Sequence, residues 1–110
     1  MKIKVLLIED DEDDVQLIKD MLSKSQSDIE LEVARNSGEG IEKIKAQSFD
    51  CILTDYIVPP ISGLEIMEEA RKSNNKTPFI ILTGFGDGGL GADLIKRGAA
   101  GFRTKDTLTA

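Results

Sequence analysis

The sequence predicts an α/β domain: a doubly wound, five-stranded parallel sheet with helices on both faces. Three observations carry this. Short runs dense in Val, Ile, Leu and Phe recur at Ile3–Ile8, Cys51–Thr54 and Phe79–Thr83, as strands buried on both faces require. Segments with apolar residues at helical spacing separate them. The links are short and rich in Asn, Ser, Gly and Pro. Such alternation implies parallel pairing and right-handed crossovers. A chain of 110 residues holds one core, so a single domain over 1–110 is expected.

The elements follow in order. Ile3–Ile8 is the first strand, and six acids run without interruption from Glu9 to Asp14. Val15, Ile18 and Leu22, flanked by Leu17 and Met21, recur at helical spacing and predict a helix to about Ser25. Ile29–Val33 alternates apolar and acidic residues, which predicts a half-exposed strand at the sheet edge. Asn36-Ser37-Gly38 turns the chain into a second helix with Ile41 and Ile44 inward. Cys51–Thr54 is the third strand and ends on Asp55, after which Pro59, Pro60 and Gly63 break the chain into a loop. Ser62 and Glu65 have the spacing of a capping box, opening a third helix that buries Ile66, Met67 and Ala70. Phe79–Thr83 is the fourth strand. Gly84–Gly91 holds five glycines in eight residues, so the fourth helix, through Leu94 and Ile95 to Gly98, should be weak at its start. Ala100–Thr104 is a fifth strand, and Lys105 lies just past it.

Composition narrows the function. The net charge is −6, and direct nucleic-acid or anionic-membrane binding needs the opposite sign. Cys51 is the single cysteine and reads as a small core residue. The chain has no histidine, which excludes imidazole ligands and His-based acid–base catalysis within these residues. No run approaches the ~20 apolar residues of a membrane span, and the opening residues do not form a signal peptide. A cytoplasmic protein is the expectation.

The polar residues fall into a pattern. The first strand ends at Glu9-Asp10, the third at Asp55, the fourth at Thr83 and the fifth near Lys105. In a parallel sheet these ends point one way, to the rim where open α/β sheets bind ligands. Three acids, a hydroxyl and an ammonium suggest a hard cation such as Mg2+ beside a bound anion. Taken singly, each residue has a plainer reading: a helix-capping acid for Glu9 to Asp14, a β-branched strand residue for Thr83, a solvated lysine for Lys105. Asp11, Glu12, Asp13 and Asp14 are read as such helix-capping acids.

On these residues the chain resembles the receiver domains of two-component response regulators. The landmarks are Leu7-Ile8-Glu9-Asp10-Asp11, Asp55 with Pro59 and Gly63 after it, Pro78 leading into Leu82-Thr83, and Gly98-Ala99 leading into Phe102 and Lys105. The resemblance implies a flavodoxin-like strand order, 2-1-3-4-5, and an aspartyl-phosphate switch. Asp55 would accept a phosphoryl group from a sensor histidine kinase or phosphotransfer protein. Glu9, Asp10, Asp55 and the backbone carbonyl of Ile57 would hold Mg2+. Thr83 and Lys105 would stabilise the phosphoryl group. Thr83 and Phe102 would report it to the face of the fourth helix and fifth strand, and so to an effector. Such a domain assists its own phosphorylation and slow dephosphorylation and is not a turnover enzyme.

Several positions depart from the family pattern. Gly84 replaces a frequent alanine, Pro60 a frequent glycine, and Asp106 a frequent proline. The positions that tune hydrolysis are Ile57 and Phe85; neither can orient a water, so self-dephosphorylation should be slow. Only Asp106–Ala110 follow Lys105, too few for the family's fifth helix. The helix is therefore expected to be missing or truncated, as in a fragment of a longer protein. The apolar patch left on the sheet would favour a homodimer. Two other classes fit the residues less well. A phosphatase resembling the haloacid dehalogenases needs a second Asp where Ile57 stands. A phosphorylation-independent interaction domain would have lost an acid, Thr or Lys from the site, and none is lost.

Overall fold

A computed structural model describes residues 2–84 and 88–105. The elements run β1 (Lys2–Ile8), α1 (Glu12–Ser23), β2 (Asp28–Ala34), α2 (Ser37–Ala46), β3 (Cys51–Asp55), β4 (Ile57–Val58), β5 (Ile61–Ser62), α3 (Gly63–Lys72), β6 (Phe79–Thr83), α4 (Gly88–Lys96) and β7 (Gly101–Thr104). The main sheet is parallel, in the order β2-β1-β3-β6-β7. Counting only its own strands, this is 2-1-3-4-5. The order follows from the burial pattern: β1, β3 and β6 are apolar on both faces and lie inside, while alternating β2 lies at an edge.

Period-two alternation divides the core between the two faces. Leu6, Ile8, Ile52, Phe79 and Ile81 pack with Ile44, Ile66, Met67 and Leu94 from α2, α3 and α4. Val5, Leu7, Leu53 and Leu82 pack with Val15 and Ile18 of α1. Cys51 is half-buried beside this second group.

The helix starts obey local capping chemistry. Asp11 accepts hydrogen bonds from the backbone N–H groups of Asp13 (2.8 Å) and Asp14 (3.2 Å) at the head of α1. The Asn36 side chain accepts from Glu39 N–H at 2.8 Å at the head of α2. The Ser62–Glu65 capping box of α3 is formed on both sides, at 3.2 and 3.4 Å. These caps satisfy donors that the first helical turn leaves without a partner.

Two details differ from the sequence reading. Helix α1 stops at Ser23, and the chain leaves through the tighter turns Lys24 N–H to Met21 O and Ser25 N–H to Leu22 O. The segment after Asp55 is a small antiparallel hairpin, with Ile57 paired to Ser62 and Val58 to Ile61 around a cis Pro59–Pro60 bond. Two prolines in a row hid the pairing, because proline weakens any strand reading. Phe85, Asp106 and the expected loss of the fifth helix lie outside the described residues. Four helices are present among the described residues, and none is long and apolar enough to cross a membrane.

Candidate functional site

The strand register builds the site. Ile8 pairs with Thr54, Asp55 with Leu82, and Thr83 with Thr104. Glu9, Asp55, Thr83 and Lys105 therefore stand at or just past neighbouring strand ends, on one rim. Backbone pairing continues beyond the strands: Glu9 N–H donates to Ala34 O at 2.9 Å, and Tyr56 N–H to Leu82 O at 2.7 Å. The rim is thus rigid where its side chains depart.

Glu9, Asp10 and Asp55 each offer a carboxylate oxygen, and the three oxygens lie within 4.8 Å of one another. Glu9 is fully buried. Its Oε2 accepts from Asp11 N–H at 3.2 Å, while Oε1 is buried without a hydrogen bond of good geometry and faces Lys105 Nζ at 2.6 Å as an ion pair. Lys105 Nζ also meets Asp14 Oδ2 at 2.7 Å and Asp55 Oδ2 at 3.3 Å. Asp10 is exposed at the mouth and Thr83 is buried beside the cluster's strands.

Charge in this arrangement is unbalanced. Burial, with the Asp55 charge adding to it, pushes the Glu9 carboxyl from 4.5 up to about 7 against the pull of Lys105. Burial and the Asp10 charge likewise raise the Asp55 carboxyl, again opposed by Lys105. Burial works against the Lys105 ammonium, but Asp14 and Glu9 outweigh it and hold its proton above the ordinary range. One ammonium does not neutralise four nearby carboxylates. A hard divalent cation fits what remains: three convergent carboxylates, one of them fully buried, that share a single ammonium.

The other expected residues lie close by. Ile57, two residues past Asp55, turns its side chain outward and is 62% exposed. Phe102 is half-buried against the core, with its ring facing Gly91. Asp14 is the residue that sequence reasoning missed. It had been read with the helix-capping acids, but Asp11 is the cap. A signal was available: Asp14 precedes buried Ile18 by one helical turn, which places it on the stripe of α1 that faces the sheet.

A doubly wound parallel sheet with acids and a lysine gathered at its strand ends defines the class: an open α/β domain with a charged site on one rim. The chain belongs to the response regulator receiver domain family, whose sequence profile matches residues 5–109. It is 34% identical over 84 residues to the response regulator ArlR of Staphylococcus saprophyticus. It is 42% identical over 81 residues to the cell cycle response regulator CtrA of Brucella ovis. These matches cover 76% and 74% of this chain but only 37% and 34% of the relatives, so the chain spans about a third of their length. Among solved structures, the Francisella response regulator 1452 receiver domain superposes with a TM-score of 0.84 at 29% identity, over 94% of this chain and 84% of that one. A receiver domain protein from Clostridium thermocellum gives 0.80 at 32% identity, over 94% and 82%.

Proposed function

We propose that this chain is a phosphorylation-activated switch, a receiver domain over residues 1–110. Asp55 accepts a phosphoryl group from the phosphohistidine of a sensor histidine kinase or phosphotransfer protein. The supporting observation is the joint placement of Asp55: one of its oxygens lies with Glu9 and Asp10 in a cation-sized cluster, and Oδ2 is 3.3 Å from the Lys105 ammonium.

An Asp55 carboxylate oxygen attacks phosphorus. The P–N bond breaks as the P–O bond forms, and the imidazole, already protonated on its other ring nitrogen, leaves as the neutral base. Glu9, Asp10, Asp55 and the Ile57 carbonyl would hold Mg2+, which would offset negative charge on the phosphoryl oxygens. Lys105 needs only a small movement to meet one of those oxygens, and the Thr83 hydroxyl donates to another. Thr83 and Phe102 then carry the change to the surface of α4 and β7, where an effector protein or domain reads it. The domain catalyses no turnover of small molecules.

The test is incubation with acetyl phosphate and Mg2+ followed by intact mass. A gain of about 80 Da, lost with EDTA and in Asp55→Asn, supports the reading. No adduct on folded wild type overturns it.

A further inference from the structure

The Lys105 ammonium is shared by three carboxylates, and only two of them belong to the cation cluster. Glu9 and Asp55, whose Oε1 and Oδ2 lie 2.6 and 3.3 Å from the ammonium, are carboxylates that the cluster would also offer a metal. Asp14 Oδ2, at 2.7 Å with hydrogen-bond geometry, comes from α1 and lies outside the cluster. An ammonium has three N–H donors and one positive charge. Wherever it sits on Glu9 or Asp55 it competes with a divalent ion for oxygen and also repels that ion.

We propose that Asp14 is a positioning residue for Lys105. It gives the ammonium a partner outside the cluster, so that Lys105 stays paired on the α1 side of the rim when a cation takes the Glu9 and Asp55 oxygens. The inference rests on the metal site of the proposed function. Two features support it. Capping of α1 is accomplished by Asp11, so the Asp14 side chain is free of that duty. The contact is also sheltered, with side-chain exposures of 29% for Asp14 and 12% for Lys105, so the pair is screened less than a surface ion pair.

The test is a double-mutant cycle read as Mg2+ affinity by titration calorimetry on the full chain. Its members are wild type, Asp14→Asn, Lys105→Met and the double variant, each checked for folding by circular dichroism. Asp14→Asn should weaken Mg2+ binding by about three- to tenfold. In the Lys105→Met background the same change should matter by less than about twofold, because the competitor is gone. Exposed Asp13→Asn removes equal charge and should also stay within about twofold. Asp14→Glu keeps the carboxylate and should restore most of the affinity; it also carries the test if Asp14→Asn does not fold. Equal losses in both backgrounds would mean plain charge removal and overturn the proposal, as would no loss in the wild-type background. An acetyl phosphate adduct alongside a flat cycle sinks this inference alone. A coupled cycle with no adduct sinks the phosphoryl-acceptor reading alone. No saturable Mg2+ binding by wild type sinks both.

Discussion

Gly63 and Asp55 meet backbone to backbone: a β-carbon on Gly63 would stand 2.4 Å from the Asp55 carbonyl oxygen. Helix α3 can start this close to the end of β3 only without a side chain there. Gly63→Ala should therefore cost about 1–3 kcal/mol, the range for forcing extra atoms into packed structure. Urea unfolding measures that loss. The acetyl phosphate adduct should fall with it, since relief of the clash moves Asp55, the proposed acceptor.

Metal should stabilise the fold, and more so at higher pH. The folded Glu9 carboxyl is raised from 4.5 to about 7, so the metal-free fold loses stability from this group as pH climbs through that interval. Lys105 has the opposite sense. Its pairing stabilises below its ordinary value of 10.5 and is lost only well above that, so it does not alter the neutral window. A divalent ion on Glu9 competes with the proton. Millimolar MgCl2 should add about 1–3 kcal/mol near pH 8 and clearly less near pH 5.5. Thermal unfolding at both pH values checks the order, and a larger gain at the lower pH would contradict it.

Phospho-Asp55 should be long-lived. Ile57 is an exposed hydrocarbon two residues past Asp55 and cannot align a water molecule. Its outward side chain also means that a polar replacement need not disturb the fold. Ile57→Asn combined with Phe85→Glu should accelerate loss of the phosphoryl group. The decay of the adduct in Mg2+ buffer decides this: wild-type decay within seconds, or an unchanged rate in the double variant, would refute it.

Gly84 follows Thr83, and a β-carbon there meets nothing within 4 Å among the described residues. Its φ lies outside the left-handed region. Gly84→Ala should then stabilise the domain by about 0.4–1 kcal/mol through lost freedom of the unfolded chain. Urea midpoints measure the gain, and destabilisation would show that this loop needs glycine after all.

Much of this molecule is legible without coordinates. Apolar runs at β1, β3 and β6 mark central strands, alternation marks β2 as an edge, and polar residues at successive strand ends converge by topology alone. What could not be read was contact between distant segments. Asp14 looked like one more acid at a helix head; its pairing with Lys105, 91 residues away, depends on how α1 lies across the sheet. The hairpin of β4 and β5 was hidden for a different reason, since two-residue strands around prolines have no periodicity to detect. Which oxygen of Glu9 faces Lys105, and which way Ile57 turns, are likewise set by packing.

The central claim is that Asp55 is the phosphoryl acceptor. The most direct measurement is to phosphorylate the folded chain with acetyl phosphate and Mg2+, trap it with borohydride and map the peptides. Reduction of an aspartyl phosphate leaves homoserine. Homoserine is expected at position 55 and at no other acid of the rim. Homoserine at Asp10, Asp14 or elsewhere with Asp55 intact would contradict it.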